Sequence, residues 1–405
     1  MSKVRDFAFF QEYRYLLQLV AAAVNCTMPP KPPKGLNWRM LLQIAQETAF
    51  APAAFCAVSA MAQEDRPPRE VFEKLYGAFF REAQNNHIRD TALTQLADFC
   101  EEHAICNMAL KGSYIKRFYP QPEMRYMVDI DFLIQQDCEK AVHTFLVKNG
   151  YRCSGQGQVH NVYQNAQKVT LELHKRLVAQ NGQNAPYFEI VWDRAVVRSG
   201  KKYTYDMCAV DFYVYMLAHC AHHFFYGGIA PRMLLDFYIC RHMLLSQKDE
   251  KPLALALAQT GLAAFENKMH TLACDWFSPD GKGLEESALS RYIAQNGKMG
   301  TVKNIVLTKA AVVLYSGKKV SKSGYILKKL FPPRMALCKE YAALQKAPFL
   351  YPFFLPGVWC TYLKRALKGK RAFRSAAFVK NLDQEQKEIE SLRDIICELQ
   401  IAHYI

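Results

Sequence analysis

The sequence predicts an α+β protein in which a small mixed sheet is flanked by helical regions on both sides. Three observations predict it. Apolar side chains recur at spacings of three and four through the first hundred residues, the period falls to two in short runs between 104 and 174, and helical spacing returns from Asp206 onward. These are the side-chain periods of helix and strand.

In the first region, EYRYLLQLVAAAV, WRMLLQIAQETAF, PAAFCAVSAM and PREVFEKLYGAFFREAQNNHIRDTALTQLADFCEEH read as helices, with MPPKPPKG at 28–35 as a stiff loop between the first two. In the core, expected over 101–205, AICNMAL and VDIDFLI read as strands and CEKAVHTFLVKNG as a helix stopped by glycine. HNVYQN and KVTLELH then form a hairpin. The glycines of SGQGQ lack the lysine and spacing of a P-loop and read as a turn. DFYVYMLAHCAHHFF, PRMLLDFYICRHMLLS and PLALALAQTGLAAFENKMHTLACDWF are helical and define an accessory region over 206–300. The last region, 301–405, is basic and ends in LDQEQKEIESLRDIICELQ, a helix with Leu382, Ile389, Leu392, Ile396 and Leu399 on one stripe and an acidic outer face. No internal repeat is present.

Composition narrows the class. A 51% hydrophobic content over 405 residues belongs to a globular chain with sizeable cores. Thirteen cysteines run from Cys26 to Cys397 without one C-x-x-C pair, which argues against a disulfide framework or zinc ribbon and for a reducing cytoplasm. The first residues, MSKVRDFAFFQEYRYLLQ, carry charges throughout and do not read as an export signal. The longest uncharged apolar run, 347–363, has 17 residues and three prolines, too short and too broken to span a membrane. The net charge of +15 is localised: 301–380 holds 17 Lys or Arg against one acid, Glu340. Such a segment suits an anionic partner, either RNA or an acidic membrane surface, and the chain is expected in the cytoplasm or peripherally at a membrane.

The chemistry is concentrated in KGSYIKRFYPQPEMRYMVDIDFLI, 111–134. Residues two apart on a strand share a face, so Asp129 and Asp131 project together while Ile130 and Phe132 point away. Burying two carboxylates side by side costs several kcal/mol unless a cation compensates. Paired hard oxygens suit Mg²⁺, and Glu172, opposite in direction to Leu171 and Leu173, supplies a third carboxylate if its strand lies alongside. Gly112 and Ser113 sit where a strand gives way to a short helix, a turn whose backbone N–H groups can face an anion. Lys111 and Arg125 flank the motif as cations able to meet a triphosphate. His219, His222 and His223 fall on one helical face, but with no H-E-x-x-H pattern they read as structural or pocket histidines. Arg232 and Asp236, four apart, form a helix pair on spacing alone.

Gly-Ser, then an alternating D-x-D, then an acid on a later strand is similar to the signature of the DNA polymerase beta type nucleotidyltransferase superfamily. Within it, KGSYIKRFYP, PEMRYMVDIDFLI and LELHKRL resemble the bacterial family labelled uncharacterised nucleotidyltransferases. NWRMLLQIAQETAFAPAAF, VYMLAHCAHHFFYGG with RMLLDFYI, and LFPPR with FFLPGVWCTYLKRAL extend the likeness over most of the chain. The 15 residues between Ser113 and Asp129 make a slightly longer interval than the most compact versions of the motif have. The resemblance implies a nucleotidyltransferase core in which Gly112 and Ser113 bind nucleotide phosphates. Asp129, Asp131 and Glu172 would hold two Mg²⁺ ions, with Mn²⁺ as the alternative. Arg232 and Asp236 would stand near the nucleotide in the accessory helical domain. The expected reaction moves a nucleoside monophosphate from an NTP, such as ATP, to a hydroxyl of a small molecule or protein and releases pyrophosphate. A tRNA-like RNA acceptor and a noncatalytic nucleotide-binding role are the alternatives.

Overall fold

The computed structural model describes residues 10–180, 182, 184–281, 283–284, 287–298, 302–317, 331, 348–357, 359 and 386–404. Contacts divide the chain into two compact units. One comprises Met1–Phe224, Gly228–Gly300 and Leu399–Ile405; the other comprises Phe225–Gly227 and Thr301–Glu398.

The first unit begins with helices α1 (Phe10–Val24), α2 (Trp38–Thr48), α3 (Ala51–Ser59) and α4 (Arg69–Glu102). Asn37 caps α2 by accepting from the Met40 N–H, and α2 ends at Ala49, whose φ is 68°. The 34 residues of α4 make a rod about 50 Å long at ~1.5 Å per residue.

A seven-stranded mixed sheet follows: β1 (Asn107–Ala109), β2 (Asp129–Ile134), β3 (Arg152–Gln156), β4 (His160–Gln164), β5 (Thr170–His174), β6 (Val196–Val197) and β7 (Thr204–Asp206). Its spatial order is β3-β4-β5-β2-β1-β7-β6. The expected hairpin is present as antiparallel β4 and β5. The turn expected at SGQGQ is corrected in part: Ser154, Gly155 and Gln156 belong to β3, with a register irregularity at Gly155, and the turn comes only after Gln156. A small-residue edge strand carries little alternation to announce it. Strands β6 and β7, two and three residues long, are likewise beyond the reach of periodicity.

Helices α5 (Lys111–Ile115) and α6 (Glu139–Lys148) connect the first strands, and α7 (Ala185–Glu189) and α8 (Val191–Arg194) precede β6. One sheet face is apolar: Ile130, Phe132, Ile134, Leu171 and Leu173 pack with Leu96 and Cys100 of α4 and Val142 and Leu146 of α6. Each buried side chain of this size contributes roughly 1.5–3 kcal/mol.

The accessory helices are α9 (Ala209–Tyr226), α10 (Pro231–Ile239), α11 (Glu250–Thr260), α12 (Ala263–Phe277) and α13 (Ala288–Gln295). The run expected as one helix from Pro252 to Phe277 is broken at Gly261, which adopts a left-handed φ of 67°.

In the second unit lie α14 (Val302–Tyr315) and all but the last residue of the helix Gln386–Leu399, on which Ile389, Leu392, Ile396 and Leu399 are buried as the stripe requires. Leu382 lies outside the described residues, as does most of the basic segment. Among the described residues no helix is long and apolar enough to cross a membrane.

Candidate functional site

The second sheet face is polar, and its composition follows from strand register. β2 pairs parallel with β5, placing Asp131 directly beside Glu172 and Leu133 beside His174. β5 pairs antiparallel with β4, placing His160 across from His174. The alternation that sends Leu171 and Leu173 into the apolar core therefore gathers Asp129, Asp131, Glu172, His174 and His160 on the opposite face.

Lys111 closes this group from the side. It opens α5 with a φ of 41°, an uncommon value for a residue with a side chain. Its Nζ lies 2.7 Å from Asp131 Oδ1 and 3.6 Å from Glu172 Oε2. His174 Nε2 reaches the same Asp131 oxygen at 3.0 Å and Glu172 Oε2 at 3.5 Å, and His160 Nε2 stands 3.8 Å from that glutamate oxygen.

These contacts divide the two aspartates. Burial alone would raise the Asp131 carboxyl, but the Lys111 ammonium and the His174 hydrogen bond hold it well below the usual range. Asp129 accepts no hydrogen bond from the described residues. Burial, then the charges of Asp131 and Glu172, push it up to about 6 against the pull of Lys111 and Arg232.

Gly112 has a steric reason for its identity. A Cβ there would collide with the guanidinium of Arg125. Arg125 is buried and forked onto Asp236, with Nε 3.0 Å from Oδ1 and Nη2 2.9 Å from Oδ2, while the Tyr119 hydroxyl donates to Oδ1 at 2.7 Å. Asp236 thus pairs with Arg125 and Tyr119, 111 and 117 residues away in sequence. Arg232, one turn before it, forms no ion pair among the described residues and keeps an unpartnered buried Nε. Burial and the neighbouring Arg125 charge lower its pKa, against Asp236 and Asp129. Ser113 Oγ is also buried without a partner.

The loop before β2 is fixed by α4. Glu82 accepts from the Met127 N–H at 3.0 Å and from Arg89 at 2.9 Å, and Arg89 donates to the Met127 carbonyl at 2.6 Å.

Helix α9 borders the polar face. Phe212 packs at a tilt against Tyr114 of α5, 4.5 Å between ring centres. Tyr215, fully buried, has a hydroxyl with no partner, and burial raises its pKa against the pull of Lys111. Burial and then Lys111 hold His219 well below its ordinary value and His223 at about 4, so both rings are neutral at pH 7. Their centroids lie 4.3 Å apart.

Sequence reasoning singled out neither His174 nor His160. The signal was present, because His174 stands two residues after Glu172 on the same strand face, and pairing of the hairpin places His160 opposite it.

The oxygen set fits a hard cation, and one observation tests that fit: Asp129 is a half-buried carboxylate that accepts no hydrogen bond from the described residues, an arrangement a cation would compensate. Asp129, Asp131 and Glu172 could hold such an ion, with Lys111 already placed against two of the three. His160, Glu172 and His174 form a second possible set, with ligand atoms all within 4.8 Å of one another.

A family model described as uncharacterised nucleotidyltransferase matches residues 34–278. This span covers more than half of the chain and contains the whole sheet and its polar face. The chain belongs to that family. No curated protein matches it.

Proposed function

We propose that this member of the uncharacterised nucleotidyltransferase family transfers a nucleoside monophosphate from an NTP to a hydroxyl of a small molecule or a protein, releasing pyrophosphate. The observation that carries the reading is the register that places Asp131 beside Glu172, with Asp129 two residues away on the same strand face. Mg²⁺ held by these three carboxylates, two ions in the full arrangement and Mn²⁺ as the alternative, would neutralise charge on the triphosphate and stabilise the departing pyrophosphate.

The remaining roles belong to the chain's own groups. Ser113 Oγ and the backbone at Gly112 lie at the opening of α5 and bind phosphate oxygens. Arg232 supplies the cation with free donors, and Arg125 with Asp236 fixes the wall against which Gly112 lies. Lys111 keeps Asp131 ionised until substrate arrives and then meets phosphate charge. Glu172 accepts a hydrogen bond from the acceptor hydroxyl and aligns it.

The experiment is incubation with each labelled NTP and Mg²⁺, alone and with cell extract, following label into small molecules, protein and RNA. Label in a small molecule or protein supports the reading. Label in RNA favours the alternative acceptor, which the 17 cations of 301–380 would suit. NTP retention without transfer would leave a nucleotide-binding protein and defeat the enzyme. The same basic segment is proposed to meet an anionic partner, RNA or an acidic membrane surface, and a wild-type chain retaining neither at low salt would remove that part.

A further inference from the structure

We propose that His160, Glu172 and His174 bind a first-row transition-metal ion of the Zn²⁺ class, beside the all-oxygen pair Asp129 and Asp131. The inference shares Glu172 with the reading above and does not depend on nucleotidyl transfer.

Geometry comes first. Cross-strand pairing sets His160 opposite His174, and the strand period puts Glu172 on their face. His174 Nε2 and His160 Nε2 lie 3.5 and 3.8 Å from the same Glu172 oxygen. Donors ~2.0–2.2 Å from a tetrahedral ion stand about 3.4 Å apart, so a small movement of the half-buried His160 closes the set. The ring centroids of the two histidines are already only 4.8 Å apart.

Packing and the His174–Asp131 hydrogen bond leave one nitrogen of each ring unexplained. His174 is 2% exposed, and the Nδ1 atoms of both rings are buried without a partner. A core histidine kept for packing has its polar atoms satisfied. Here His174 Nε2 lies between Asp131 Oδ1, its hydrogen-bond partner at 3.0 Å, and Glu172 Oε2 at 3.5 Å, His160 Nε2 stands 3.8 Å from the same glutamate oxygen, and neither Nδ1 has a partner.

Ligand chemistry then selects the ion. Imidazole nitrogens favour Zn²⁺, Co²⁺ or Cu²⁺, whereas Mg²⁺ prefers oxygen and keeps its water. Local charge permits it, because the two carboxylates Asp131 and Glu172 share the single ammonium of Lys111, which is closer to Asp131 than to Glu172. With Nε2 on the ion, each Nδ1–H lacks a protein acceptor, so affinity should fall ~10–100-fold below that of a site with such support.

The test uses the full chain after chelator treatment, titrated with Co²⁺ and, separately, loaded with one equivalent of Cu²⁺. Expected are visible Co²⁺ d–d bands that saturate near one equivalent, at least tenfold weaker binding in His160→Ala and in His174→Asn, and retained binding in Asp129→Asn. The Cu²⁺ spectrum of the wild type should show splitting from two nitrogens. Absence of nitrogen splitting in the wild type overturns the proposal even if the histidine variants fail to fold. Equal Co²⁺ affinity in wild type and folded His160→Ala overturns it too. Intact Co²⁺ binding without any nucleotidyl transfer would sink the proposed function and leave this site standing.

Discussion

Two clusters of buried charge lie within the same unit, and they are built on opposite rules. In the first, Asp236 receives two nitrogens of Arg125 and the hydroxyl of Tyr119, so both of its oxygens are satisfied at 1% exposure. In the second, Asp131 and Glu172 share one ammonium, Asp129 accepts no hydrogen bond from the described residues, and Ser113, Tyr215, His160 and His174 carry unpartnered polar atoms. A balanced cluster fixes shape. An unbalanced one retains interaction energy that only a ligand can release, which is the property expected of a site and not of a scaffold.

The largest effect should come from breaking the balanced cluster. Asp236→Ala strands the buried Arg125 guanidinium and should cost about 3–5 kcal/mol in urea unfolding. A loss under 1 kcal/mol would mean that the pair is not what holds the wall behind Gly112.

Next in size is Asp129→Asn. It should lower turnover at least ~100-fold, about 2.7 kcal/mol, while the melting temperature stays level or rises, because no protein donor depends on that carboxylate. Asp131→Asn should differ by also losing stability, since Lys111 and His174 both lean on it. Equal melting curves for the two variants would erase the distinction between the aspartates.

The smallest effect is in pH. Asp129 is raised from 3.8 to about 6, so in the metal-free protein the folded state binds the extra proton between those values. Its contribution to stability is complete below about 4 and is lost as pH rises through about 6, with a slope on the order of 1 kcal/mol per pH unit. Asp131, depressed instead, contributes above the ordinary carboxylate range and loses that contribution only under stronger acid. Unfolding curves of wild type and Asp129→Asn from pH 4 to 7.5 should diverge, the variant lacking the decline. Parallel curves would show that Asp129 is not perturbed.

The difference between the clusters also explains what could be read from the sequence. Alternation was enough to place Asp129 with Asp131, to turn Ile130 and Phe132 to the other side, and to set Glu172 opposite in direction to Leu171 and Leu173, because strand geometry is local; that Glu172 joins the aspartates depended on the two strands being neighbours. Helices α1 to α4 were legible for the same reason. Asp236 looked like the partner of Arg232, four residues away, and proved to be the partner of Arg125, 111 residues away. No local period encodes such a pair. The parallel alignment of β2 with β5, across an intervening helix and two strands, is equally nonlocal, as is the approach of α9. β3 hid behind Ser-Gly-Gln, whose residues favour turns.

The parallel register of β2 and β5 ties the carboxylate face to the same alignment as the core. A slip of one residue would bring Leu171 or Leu173 into line with Asp131 and bury Glu172 among hydrocarbon, so a misaligned chain would lose its core and its chemistry together. Chains that have paired these two strands correctly already carry the carboxylates in place, while mispaired ones would expose an apolar face of the kind chaperones and proteases act on.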